Sequence, residues 1–217
     1  MNTCYLVGAS PSAEIFAPDP DDFIIAVDGG GDTLRRWGIT PHFALGDFDS
    51  IQADLPDDVP RKRFPKEKGE SDMELALWEG MSRGYRRFEL IGASGGRADH
   101  TFGNLQLLVQ AAREGAFALL RFHDGGAEET TAATALVSGG TLLLRGVGTV
   151  SLFAFGGDAS GVTLRGMKYP LENATLSYCE PLGLSNEIVG GEAQIDLEKG
   201  ALLVFWKPEK AIHLVNT

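Results

Sequence analysis

Cysteine is nearly absent: the 217 residues carry only Cys4 and Cys179, far apart in the chain. Two are too few for a disulfide framework, and the simplest expectation is a reduced chain in the cytoplasm. Neither has a cysteine or histidine neighbour at zinc-binding spacing. Long apolar runs are absent too. No stretch approaches the roughly 20 residues that cross a bilayer as a helix. Met1-Asn2-Thr3-Cys4-Tyr5 lacks the basic start and apolar core of a secretion signal. Basic residues are outnumbered, 19 Lys and Arg against 30 Asp and Glu, for a formal net charge of −11. Nucleic acid and anionic membrane are therefore not expected as partners, because each needs a basic face. An anionic nucleotide remains open, provided metal ions, helix N-termini and a few local cations reverse the field.

Familiar nucleotide signatures are missing as well. No Gly-x-x-x-x-Gly-Lys-[Ser/Thr] occurs, and no Gly-x-Gly-x-x-Gly opens a helix after a strand. A calcium loop starting at Asp47 would need glycine at its sixth position, where Gln52 stands. There is no internal repeat and no low-complexity segment.

The first half alternates strands with helices. Cys4-Tyr5-Leu6-Val7, Phe23 to Val27, Phe43-Ala44-Leu45 and Phe117 to Leu120 are continuous apolar runs, as expected of strands covered on both faces, and Phe88-Glu89-Leu90-Ile91 reads as a further strand. A short helix between the second and third strands places Leu34 and Trp37 together and closes at Gly38. Ser71-Asp72-Met73-Glu74 reads as a capping box opening a helix that runs to about Gly84, with Leu75, Ala76 and Trp78 toward a core. Asp99 is the expected cap of a further helix, with Phe102, Leu105, Leu108 or Val109, and Ala112 as its apolar stripe. From Gly125-Gly126 the helical period fades, and short β-like runs alternate with glycine turns. The expected architecture is an α/β unit with a largely parallel sheet over residues 1–124, then an all-β, sandwich-like unit over 125–217.

Ligands of parallel sheets sit at the carboxyl ends of the strands, and the unusual residues gather there. They are Gly8, Asp28-Gly29-Gly30, Gly46-Asp47-Phe48-Asp49-Ser50, and Gly92 through Asp99. In extended chain Asp47 and Asp49 share a face, an arrangement that suits a magnesium ion shared with phosphate oxygens or else a hydrated acidic turn. Asp72 in a first helical turn either complements the helix dipole or joins that set. Lys66 and Lys68 read equally as a solvated pair. Arg97, between Gly96 and Ala98, has the geometry to clamp a phosphate.

In order and spacing, Asp28-Gly29-Gly30, Gly46-Asp47-Phe48-Asp49-Ser50, Lys66-x-Lys68-x-x-Ser71-Asp72 and Gly95-Gly96-Arg97-x-Asp99-His100 resemble the thiamine pyrophosphokinase family. Gly166-Met167-Lys168-Tyr169-Pro170-Leu171 and Leu184-Ser185-Asn186-Glu187 look like that family's substrate motifs. Ser71 stands where the family usually has threonine, and Gly69 where bacterial members often carry aspartate. The resemblance implies a homodimeric enzyme that moves the β,γ-diphosphate of ATP onto the thiamine hydroxyl. It implies Asp47, Asp49, Asp72 and Asp99 around Mg²⁺, with Arg97 stabilising the transferred group. Nucleotide contacts would come from Asp28, Gly29, Gly30, Lys66, Lys68, Arg97, His100 and Asn104. Tyr169, Ser185 and Asn186 would meet thiamine, the tyrosine through its ring face against the cationic thiazolium. Other readings are a diphosphokinase for another small alcohol and a nucleotide-binding protein without chemistry.

Overall fold

The computed structural model describes residues 2–10, 13, 15–48, 55–123, 130–206 and 215–216. Its strands are β1 (Cys4–Val7), β2 (Phe23–Val27), β3 (Phe43–Gly46), β4 (Arg61–Arg63), β5 (Arg87–Ile91), β6 (Phe117–His123), β7 (Thr130–Val137), β8 (Thr141–Arg145), β9 (Thr149–Ala154), β10 (Ala159–Arg165), β11 (Leu171–Leu176), β12 (Asn186–Glu187), β13 (Glu192–Asp196), β14 (Ala201–Trp206) and β15 (Val215–Asn216). Among the described residues the helices are α1 (Gly30–Arg36), α2 (Asp72–Ser82) and α3 (Ala98–Arg113). None of them is long and apolar enough to cross a membrane.

The chain is mostly β, built on a sheet rich in parallel pairs. That sheet has ten strands in the order β12-β9-β14-β7-β6-β5-β1-β2-β3-β4. Pairing is parallel from β6 through β4 and antiparallel from β6 through β12. A second, antiparallel sheet runs β11-β10-β13-β8-β15. The change from parallel to antiparallel falls between β6 and β7, where the sequence texture changes, yet hydrogen bonding continues across it.

Alternation along the strands assigns three cores. Leu6, Leu90, Leu120, Ala133 and Leu203 point to one face, beneath α2 and α3. Tyr5, Val7, Ile24 and Ile91 point to the opposite face, beneath α1. Farther along that opposite face, Leu119, Ala132, Leu202 and Val204 meet Leu142, Leu144, Val162 and Ile195 of the second sheet.

Two helix faces differ from expectation. In α2 the buried residues are Met73, Ala76, Leu77 and Gly80, while Trp78 lies outside the core. In α3 the buried residues are Asn104, Leu107, Leu108, Val109 and Ala111, so Leu108 and Val109 are buried as expected while Leu107 and Ala111 replace Phe102 and Ala112. Leu105 packs at the edge of the core, a polar residue opens the stripe, and Phe102 is exposed. The N-cap of α3 is Arg97, and Asp99 sits in the first turn.

Candidate active site

The ends of the parallel strands are brought together by backbone, and glycine permits it. Strand order reverses between β1 and β5, the switch point where such sheets bind ligands. There a side chain on Gly8 would come within 2.6 Å of the Gly92 carbonyl oxygen. A side chain on Gly30 would overlap the Val7 carbonyl, so α1 starts hard against β1. The Asp28 amide donates to the Leu45 carbonyl at 2.8 Å. A side chain on Gly46 would sit 3.0 Å from the Asp28 Cα. Asp28 and Gly46-Asp47 are thus neighbours at adjacent strand ends.

The turn after β3 does not stay extended. Phe48 has φ of 60°, and its ring packs against the α1-side core with the Arg63 guanidinium 5.7 Å from its centroid. Extended backbone therefore ends at Phe48. Asp49 and Ser50 lie outside the described residues. Left-handed backbone at non-glycine positions also occurs at Asp28 (47°) and Ser185 (60°). Such conformations are held by surrounding structure and gather at functional sites.

The next stretch closes on the same place. The Phe64 amide donates to the Gly46 carbonyl at 3.0 Å, and the Lys68 ammonium lies 5.6 Å from the Phe64 ring centre. Lys68 Nζ then reaches Asp72 Oδ1 at 2.6 Å. Asp72 opens α2, and the Ser71 hydroxyl caps that helix by accepting from the Glu74 amide at 3.1 Å. The Glu74 carboxylate accepts from Gln110 of α3. Lys66 is exposed.

After β5, the loop to α3 is fastened from both sides. Buried Asn104 donates its amide to the Ala93 carbonyl at 2.6 Å. The Ser94 hydroxyl donates to the Arg121 carbonyl at 2.9 Å. Arg97 Nε and Nη2 donate to the two Asp99 oxygens at 3.1 and 2.5 Å. Both side chains are mostly exposed, as is His100. The Arg97 hydrogen bond holds the Asp99 carboxyl below the usual carboxylate range and raises Arg97 in turn.

Among the described residues no three of His, Cys, Asp or Glu converge into a ready-made metal cage. A magnesium ion does not need one, since it keeps waters and takes one or two carboxylates beside substrate phosphates. Asp28 and Asp47 place carboxylates at adjacent strand ends, and Asp72 and Asp99 are paired with Lys68 and Arg97. This donor chemistry fits a hydrated hard cation bound together with a phosphate chain.

Tyr169, Ser185 and Asn186 form a group of their own. Buried Asn186 accepts from the Tyr169 amide at 3.0 Å and donates to its carbonyl at 2.8 Å. Tyr169 is 59% exposed, with the Lys168 ammonium 5.6 Å from its ring centre. The Ser185 amide donates to Ser151 Oγ at 3.1 Å. Asn186 belongs to β12, seven strand positions from β2. At about 4.8 Å per strand, roughly 34 Å separate the two in one chain.

One charged pair at this end of the sheet escaped the sequence reading. Arg121 Nε and Nη2 both donate to Glu89 Oε2, at 2.9 and 2.8 Å. Burial first, then the nearby Glu89 charge, push the Tyr5 hydroxyl up to about 12. The signal was legible: Glu89 interrupts the apolar run Phe88-Glu89-Leu90-Ile91.

The chain matches the family profile described as "Thiamin pyrophosphokinase, catalytic domain" over residues 19–119. It matches "Thiamin pyrophosphokinase, vitamin B1 binding domain" over 145–202. It is 30% identical over 192 residues to the thiamine pyrophosphokinase of Bacillus subtilis (strain 168), covering 83% of this chain and 85% of the relative. Among solved structures it resembles thiamine pyrophosphokinase from Bacillus subtilis, with TM-score 0.83 and 25% identity over 96% of this chain and 100% of that one. It also resembles the protein from Geobacillus thermodenitrificans, with TM-score 0.80 and 28% identity over 96% and 99%. At 16% identity and TM-score 0.65, over 95% of this chain and 86% of that one, the yeast thiamin pyrophosphokinase shares the fold.

Proposed function

Because the chain belongs to the thiamine pyrophosphokinase family of diphosphotransferases, we propose that it converts ATP and thiamine to AMP and thiamine diphosphate. What supports this reading is that Asp28, Gly46-Asp47, the Lys68–Asp72 pair and the Arg97–Asp99 loop follow the carboxyl ends of parallel strands β2, β3, β4 and β5, in the sheet whose order reverses between β1 and β5. Residues 1–124 supply the nucleotide and catalytic part, and 125–217 the thiamine part.

The thiamine hydroxyl attacks the β-phosphorus. The bond from that phosphorus to the α,β-bridging oxygen breaks, and AMP leaves with that oxygen. Phosphoryl transfer asks mainly for positioning and charge stabilisation. Asp47, Asp49, Asp72 and Asp99 are the ligands we assign to Mg²⁺, which draws charge from the phosphate oxygens when bound. Asp72 or Asp99 takes the hydroxyl proton. Arg97 turns from Asp99 toward the transferred group. Asp28, Gly29 and Gly30 shape the nucleotide pocket, with Lys66, Lys68 and His100 beside the phosphates. Asn104 acts there through the loop it ties down.

Thiamine meets Tyr169, Ser185 and Asn186. Roughly 34 Å within one chain, at about 4.8 Å per strand, exceeds the length of one thiamine molecule. On that ground we propose a shared site in a homodimer, with the partner subunit's copy of this group closing over the strand ends. The free thiols Cys4 and Cys179 suit a cytoplasmic setting.

The test is direct. Incubated with ATP, magnesium and thiamine, the protein should release AMP and thiamine diphosphate in equal amounts, and a chelator should stop both. Formation of ADP, or AMP release only with a different alcohol, would replace this reading.

A further inference from the structure

Glu89 is a buried carboxylate, 6% exposed, in the middle of a parallel strand. Burying an ionised carboxylate is costly unless it is paired and hydrogen-bonded. Arg121 pairs it with two donors on one edge of the guanidinium. Among the described residues, the Nη1 edge of Arg121 has no hydrogen-bond partner, and that side chain keeps 40% exposure. The arginine is therefore pinned on one edge and open on the other.

Its place in the sheet matters. Register pairs Leu120 with Leu90, so Arg121 stands level with Ile91 at the carboxyl end. It shares a sheet face with Leu119, Glu89, Tyr5 and Val7, the face on which α1 starts against β1. From β1 to β6 is two strand positions, about 10 Å at about 4.8 Å each. That distance lies within the length of a nucleoside triphosphate. The backbone carbonyl of Arg121 also anchors Ser94, in the loop that carries Arg97.

We propose that Arg121 contacts a phosphate of the bound nucleotide through its open edge, with Glu89 as the positioning residue that aims it. The proposal rests on the nucleotide-binding reading of the strand ends given above. A guanidinium fork matches phosphate oxygens in a way an ammonium does not. Glu89 supplies the order in advance, so little side-chain entropy is lost on binding.

Calorimetric titration of ATP, AMP and adenosine in magnesium buffer without thiamine tests this apart from turnover. Arg121→Ala should weaken ATP and AMP binding by about tenfold to hundredfold and leave adenosine unchanged. Arg121→Lys should recover only part of the loss. Glu89→Gln keeps an acceptor and should stay within about threefold of wild type, whereas Glu89→Ala should approach Arg121→Ala. Unchanged ATP affinity in folded Arg121→Ala overturns the proposal, as does an equal loss for adenosine. Should the alanine variant fail to fold, Arg121→Gln carries the same comparison, and wild-type affinity for ATP there overturns it equally. A wild-type protein that binds ATP without forming AMP would sink the reaction and leave the Arg121 result standing.

Discussion

Asp47 sits at a strand end beside the left-handed Asp28 and belongs to none of the three apolar cores. Asp47→Asn should therefore cut AMP formation at least a hundredfold while the melting temperature stays within about 2 °C, as for surface changes generally. Full activity in that variant would remove it from the metal shell. Arg97 gives a second test, because its hydrogen bond lowers the Asp99 carboxyl. In Arg97→Ala the Asp99 titration, followed by carboxyl NMR, should move upward toward an ordinary aspartate. If ionised Asp99 is needed for turnover, the acid limb of the residual activity should move up with it. At this scale the sequence was informative where glycine and aspartate ended apolar runs, because such residues have few structural reasons to be there. It was blind to Phe48, since a phenylalanine at φ of 60° is imposed by the packing around it and not by its own preference.

Helix faces were harder to read than helix positions. Gly80 lies inside α2 and looks like a weak point, as glycine costs a helix about 1 kcal/mol against alanine. Yet a side chain there would come 2.5 Å from the Phe88 ring and 3.0 Å from Cys4 Sγ. Gly80 lets α2 lie close on β1 and β5. Gly80→Ala should consequently destabilise by about 1–3 kcal/mol, the usual cost of overpacking, and a denaturant midpoint that rises instead would show that the sheet yields. Ser71→Ala removes a cap and should cost about 1 kcal/mol. Gly69 is different again, since a side chain there meets nothing within 4 Å. The space for the aspartate that bacterial relatives often carry is present, so its absence here follows from no packing constraint. The cap at Ser71 was legible because its chemistry is local. The stripe of α3 was not, because Asn104 is buried for the sake of the Ala93 carbonyl, a partner eleven residues away.

The two profile matches end at 119 and begin again at 145, and β7 falls in the interval. That strand was missed in the sequence. Thr130–Val137 is rich in alanine, a residue depleted in strands, and only the structure shows why. Ala133 faces the layer beneath α3, and Ala132 faces the second sheet, so β7 is pressed from both sides and small residues fit. Its Thr134 hydroxyl donates to the Ala118 carbonyl at 2.7 Å, binding it to β6. The α3-side core likewise joins Leu120 of β6 to Leu203 of β14. A fragment ending at residue 124 would leave β6 as an unpaired edge and strip one side of that core, and open apolar edges invite aggregation. The fragment 1–124 should therefore show no cooperative thermal transition, and the full chain should melt in one step that coincides by circular dichroism and tryptophan fluorescence. A fragment with its own sharp transition would mean that the parallel half folds without β7 and β14. The shared core would then be a docking surface between two independently stable units.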